Sequence, residues 1–189
     1  MTLPDLFQLP PNLPKPVDDG AAAHLEGSRW PSLPLASTDG TNVDLSMRTG
    51  THVVYAYPMT ARPGIALPDG WDDIPGARGC TPQSCRFRDH YQELLDLGAG
   101  VFGLSGQPSS EQREAKDRLH LPYELLSDES LKLQQALQLP TFNVEGKELL
   151  KRITLIIEGG VIVKTFYPVF PPDRNADEVI AWLRATQKT

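Results

Sequence analysis

The groups best able to do chemistry are two cysteines that fall within six residues of each other, Cys80 and Cys85. Cys80 stands just before a helix that the sequence starts near Pro82. At such a place the unpaired backbone N–H groups and the positive end of the helix dipole favour an anion. A thiolate is one, and Arg78, Arg86 and Arg88 are positive neighbours in sequence, so Cys80 is a candidate nucleophile. The plain alternative is a small, inert cysteine in a loop. On an intact helix the five-residue offset to Cys85 gives a rise of about 7.5 Å and a Cα separation of about 8–9 Å. A disulfide spans less than about 7 Å. A bridge between the two therefore needs the first turn or two to unwind, which would couple redox state to conformation. Zinc would need at least two further ligands, and His24, His52, His90 and His120 show no paired spacing. The C-x-x-C of a thioredoxin-type reductase is absent. Neither a metal nor a cofactor is expected.

The elements that would position this pair follow from periodicity and punctuation. Seven prolines lie within residues 1–35, a stretch read as an extended arm, with a domain over 36–189. Asp39-Gly40 marks a turn into a short strand. Thr51–Tyr57 is β-branched and aromatic and reads as a buried central strand. Residues 58–79 are rich in Pro and Gly with little periodicity, a long functional or mobile loop. A helix is expected from Pro82 to Leu97, with Thr81 as N-cap and Phe87, Tyr91, Leu94 and Leu95 on its apolar face. Further on come a strand at 101–104, a helix at 109–120 opened by a Ser109/Gln112 capping box, and an extended segment at 123–126. A helix at 128–139 precedes two strands, 153–157 and 161–166, joined by a Gly159-Gly160 turn. The last helix carries Ala176, Val179, Ile180 and Leu183 on one face, with Asn175 as its cap. Strand–helix alternation closed by a hairpin and a helix predicts an α/β, thioredoxin-like fold: a mixed central sheet with helices on both faces.

Composition narrows the function. Hydrophobic residues make up 40% and charged residues 22% of the chain, as in a globular protein with a core rather than a disordered or fibrous one. The net charge of −6 argues against a nucleic-acid or anionic-membrane partner. No apolar run approaches the length of a membrane span, and the first residues lack a basic and apolar leader pattern, so a cytoplasmic protein is expected.

The run Gly79-Cys80-Thr81-Pro82-Gln83-Ser84-Cys85-Arg86-Phe87-Arg88-Asp89 resembles the peroxiredoxins, in particular the peroxiredoxin Q group, also called bacterioferritin comigratory protein. Residues 54–58, 102–105, 125–128 and 151–157 carry the likeness in the same order, over about residues 30 to 186. The resemblance implies a thiol peroxidase: Cys80 attacks a peroxide, Cys85 resolves the sulfenic acid into a disulfide, and Arg152 holds the thiolate and polarises the peroxide. It further implies recycling by a dithiol such as thioredoxin, in a monomer or homodimer. One departure is serious, because Asp73 and Ala77 occupy the spacings of the group's Pro and Thr before the reactive cysteine. Taking 58–79 as an insertion leaves Pro58 and Thr60 for those roles; Thr60 capping a turn is the competing reading. Two other functions stand beside the peroxidase: a redox-sensing interaction module with little turnover, and a thiol oxidoreductase acting on protein disulfides.

Overall fold

The computed structural model describes residues 5–187. Its centre is a seven-stranded mixed sheet built from β1 (Leu35–Ser37), β2 (Asn42–Val43), β3 (Thr51–Ala56), β4 (Ala99–Ser105), β5 (Glu124–Ser127), β8 (Ile153–Glu158) and β9 (Val161–Phe166). The strands lie in the order β2-β1-β5-β4-β3-β8-β9. β3 runs parallel to β4, and β4 to β5, while β8 is antiparallel to β3, with Val54 opposite Leu155 and Ala56 opposite Ile153. The hairpin β8–β9 turns at Gly159 and Gly160, both at positive φ, where a side chain would be strained.

Alternation along β3 assigns the two faces. Val53 and Tyr55, followed by Tyr57, enter a core made with Phe87, Leu94, Leu119, Val179, Ile180 and Leu183. Those partners come from α1 (Cys80–Asp89), α2 (Tyr91–Asp96), α3 (Ser109–Leu119) and α5 (Asn175–Thr186). Val54 and Ala56 point the other way, into a core with Leu45, Leu133, Leu137 and Leu150. That side is covered by α4 (Lys132–Leu137) and by the N-terminal stretch, whose Ala22, Leu25 and Trp30 are buried in it. Both faces are thus covered, as the alternation of elements predicts. Within residues 1–35 the chain from Ala22 onward is domain core rather than arm. Lower down, Tyr167 Oη and Lys151 Nζ hold Asp19 (2.8 and 2.7 Å). These hydrogen bonds lower the Asp19 carboxyl to about 2.

The helix expected over 82–97 is two helices, broken at His90. Its imidazole is held by Glu93 at 2.8 Å and lies 3.4 Å from Asp177 of α5. None of the three sequence-predicted caps is used as a cap. Thr81 lies inside α1 behind an N-cap Gly79, and Asn175 is the first residue of α5. Gln112 is fully buried; its amide donates to the carbonyls of Gln107 and Leu126 and accepts from Tyr57 Oη. Tertiary acceptors thus claim the side chain that a capping box would need. The helix expected from Asp128 starts later, because the Asp128 carboxylate caps it from outside, accepting from the N–H groups of Leu133 and Gln134.

The loop 58–79 is packed, not loose. A single 3-10 turn at Trp71–Asp73 buries Trp71, which joins Ala77, Met59, Leu67 and Ile74 in a small core. Its other wall is a hairpin absent from the sequence reading, β6 (Thr141–Val144) with β7 (Lys147–Leu150). Among the described residues no helix is long and apolar enough to cross a membrane.

Candidate active site

Cys80 is the first residue of α1, which starts two residues earlier than the sequence suggests. Gly79 ahead of it has φ +108, and a Cβ there would fall 2.3 Å from Pro172 Cγ and 2.8 Å from Leu9 Cδ2. Only glycine fits both that backbone region and that space. The helix is fixed from below by β3. Tyr55 stacks on Phe87 with ring centroids 4.5 Å apart, an arrangement worth roughly 0.5–1.5 kcal/mol beyond its burial. Tyr55 Oη donates to Ser84 Oγ (3.0 Å), and Tyr123 Oη donates to the Ser84 carbonyl (2.8 Å). Burial pushes both phenols well up, which keeps them protonated as donors.

Cys80 is buried, 5% exposed as a residue. Arg152, between β7 and β8, is as deeply buried and brings Nη2 to 3.2 Å from Cys80 Sγ. The same guanidinium donates to the carbonyls of Gly76 (3.3 Å), Ala77 (3.1 Å) and Arg78 (3.3 Å), and through Nη1 to Gln83 Oε1. Gln83 in turn donates to Asn175 Oδ1 at 3.0 Å, which also accepts from Thr154 Oγ1 at 2.6 Å. A chain of fixed dipoles thus runs from β8 and α5 through Gln83 to the arginine, and holds the fork in one plane. These partners are three carbonyls, an amide and the sulfur. The sulfur is the one able to carry a negative charge opposite this buried cation.

The other arginines expected near Cys80 face elsewhere. Arg86 is bidentate to Asp177 (3.1 and 2.9 Å), tying α1 to α5. Arg88 donates to Asp89 and to the Leu119 carbonyl. Arg78 is buried, but reaches away to Asp72 (3.3 Å) and to the carbonyl of Asp5 (2.9 Å). Arg86 and Arg88 are committed to these partners from within α1, and Arg78 precedes the helix.

Cys85 is half-buried on the same unbroken helix, and both cysteines are free thiols. Burial pushes the Cys85 thiol up, with Asp89 adding to the effect and Arg88 and Arg118 opposing it. Thr60 is not brought to Cys80. Its N–H and hydroxyl both donate to Gln107 Oε1 (2.7 and 3.2 Å), and Gln107 Nε2 returns a bond to its carbonyl. A small cavity at Cys80 is lined by Thr81, Ala77, Met59, Trp71 and Leu6, without Thr60. The hydrogen bonds to Gln107 hold Thr60 in that position. Gln83 and Leu6 were not picked out from the sequence, and Asn175 was read only as a helix cap. Gln83 had a weak signal, a polar residue one turn after Cys80.

The profile of the Redoxin family matches residues 25–180. A chloroplastic peroxiredoxin Q of Suaeda salsa is 33% identical over 178 residues, 93% of this chain and 76% of that protein. One from Gentiana triflora is 30% identical, over 95% of this chain and 78% of its own length. Among solved structures, peroxidoxin BcpB of Mycobacterium tuberculosis superposes with a TM-score of 0.69 at 26% identity, over 86% of this chain and 98% of that one. Peroxiredoxin Q of Xanthomonas campestris shares the fold, with a TM-score of 0.66 at 24% identity over 86% and 96% of the two chains.

Proposed function

The chain belongs to the peroxiredoxin Q group of the peroxiredoxins, a thiol peroxidase family, and from that premise we propose that Cys80 reduces peroxides in a two-cysteine cycle with Cys85. The observation that carries the reading is the contact of Arg152 Nη2 with Cys80 Sγ, 3.2 Å, at the first turn of α1. In the first step the Cys80 thiolate attacks one peroxide oxygen. The S–O bond forms as the O–O bond breaks, sulfur is oxidised to sulfenic acid, and the leaving alkoxide or hydroxide takes a proton to become alcohol or water. Charge grows on both oxygens. The donors aimed at that place are the Arg152 guanidinium and the first-turn N–H groups that have no intrahelical partner. Thr81, rather than Thr60, lines the cavity in which the peroxide would sit.

In the second step the Cys85 sulfur displaces hydroxide from the sulfenic acid, giving a Cys80–Cys85 disulfide and water. Both cysteines belong to α1, so this bond requires the start of the helix to unwind. An external dithiol of the thioredoxin type then reduces the disulfide by two exchange steps and leaves as a disulfide itself. Every group in the cycle comes from one chain, so monomer and homodimer would work alike. The proposal keeps the protein in a reducing compartment, the cytoplasm expected from the sequence; the plant relatives named above are chloroplastic.

Steady-state peroxide consumption with thioredoxin, thioredoxin reductase and NADPH tests the proposal. Turnover that disappears in Cys80→Ser is the expected result. A second reading, a redox-sensing module with little turnover, draws support from the Gln107 grip on Thr60 and from the shielded sulfur. Stoichiometric oxidation of Cys80 without turnover would favour it.

A further inference from the structure

The N-terminal residues 5–9 and the 58–79 loop build a structure over Cys80 that the catalytic cycle itself does not require. The cavity at the sulfur leaves about 20 Å³, room for about one water molecule. Leu6 lines it together with Trp71 and Met59. Leu6 also borders a second, larger cavity of about 220 Å³, shared with Phe7, Arg62, Pro63, Gly64 and Ile65. That outer cavity is apolar, and Phe7 and Ile65 stand 58% and 59% exposed at it. Large apolar side chains left in water beside a concave apolar wall mark a place that an apolar group can cover.

The strand of chain bearing Leu6 is held at two points. Arg78 Nη2 donates to the Asp5 carbonyl (2.9 Å), and Leu9 packs against Gly79 at the start of α1. Between these points Leu6 is the one residue that lines both the outer cavity and the cavity at the sulfur.

We infer that Leu6 is a specificity-determining gate: it admits a peroxide of hydrogen-peroxide size to Cys80, and it holds the apolar body of a bulky organic hydroperoxide in the outer cavity until the 5–9 segment shifts. This inference rests on the peroxidase reading for its substrates, not for its geometry. A hydrophobic wall that must yield to one substrate but not to another typically discriminates by about tenfold or more.

The experiment measures the second-order rate of Cys80 oxidation by hydrogen peroxide and by cumene hydroperoxide in the wild type, Leu6→Ala and Leu6→Trp. The ratio of the cumene rate to the hydrogen peroxide rate should rise about tenfold in Leu6→Ala and fall in Leu6→Trp. Ratios equal to within about twofold across the three proteins would overturn the gate. If the wild type reacts with neither peroxide, the peroxidase reading fails, and the gate is judged by alkylation in a Cys85→Ser background. There Leu6→Ala should speed labelling of Cys80 by a bulky aryl maleimide more than by iodoacetamide. Equal acceleration of the two reagents overturns it.

Discussion

Replacing Arg152 by Met removes five hydrogen-bonding contacts at once: three loop carbonyls, Gln83 Oε1 and the Cys80 sulfur. Two effects follow, and they differ in size and in assay. For the reaction, a donor aimed at developing charge is lost, which typically lowers the rate by about 10²–10³. For the fold, buried acceptors lose a charged partner, at about 1–3 kcal/mol each when they stay dry. Gly76 and Arg152 also line an open cavity of about 330 Å³ between the 15–17 stretch and Tyr167, so water can reach the vacated site from the Gly76 side. At the lower end, the three carbonyls and Gln83 Oε1 together cost about 4 kcal/mol, below the roughly 5–15 kcal/mol of a typical domain. Arg152→Met should therefore remain folded by circular dichroism and unfold at lower urea. Its oxidation by hydrogen peroxide, followed by stopped-flow tryptophan fluorescence, should be slower by about 10² or more. Arg152→Lys keeps the charge but not the planar fork, and should fall between the two. A folded Arg152→Met protein reacting within about threefold of wild type would remove the arginine from the mechanism.

Gly79→Ala forces a Cβ into contact with Pro172 and Leu9 at φ +108. Left-handed strain and overpacking together should cost about 2–4 kcal/mol in urea unfolding; a loss below about 1 kcal/mol would contradict the wedge described. Because burial raises the Cys85 thiol, little of it is thiolate at neutral pH. Disulfide closure, the slower fluorescence phase after oxidation, should therefore accelerate as pH rises from 6 to 9, by up to about tenfold per unit. A flat profile would mean that Cys85 does not resolve the sulfenic acid as a thiolate. Oxidation should raise amide exchange over residues 80–90, and over 5–9 as well, since Leu9 is packed against the start of the helix that must unwind. Unchanged exchange in both segments would contradict the unwinding.

The features legible in the sequence were those fixed by local chemistry. The β-branched runs of β3, β8 and β9 read as strands, and they are strands. The Gly-Cys-Thr-Pro run placed a thiol at a helix start whatever the tertiary structure. What escaped was set by distant partners. Thr81, Gln112 and Asn175 have capping side chains, yet each is buried, and for Gln112 and Asn175 the acceptor oxygen that a cap would use is taken by other elements. The break at His90 involves Asp177, 87 positions away, and no periodicity within 82–97 announces it. The β6–β7 hairpin has strands of four residues, and the apolar positions of β7, Lys147-Glu148-Leu149-Leu150, do not alternate. Arg152 lies 72 positions from Cys80, and on its own residue type it reads as a strand-end surface charge. The family resemblance, not spacing, brought it to the site. Conversely, Arg86 and Arg88 were near Cys80 in sequence and are turned away from it in space.

The proposed cycle turns on one covalent event, and mass spectrometry reads it directly. The reduced protein treated with one equivalent of hydrogen peroxide should lose about 2 Da and both free thiols, with Cys80 joined to Cys85 in the proteolytic map. Cys85→Ser, treated alike, should gain oxygen at Cys80 and lose turnover with thioredoxin. A wild-type protein that keeps the Cys85 thiol free after oxidation, or a Cys85→Ser protein that turns over at the wild-type rate, would contradict the two-cysteine mechanism.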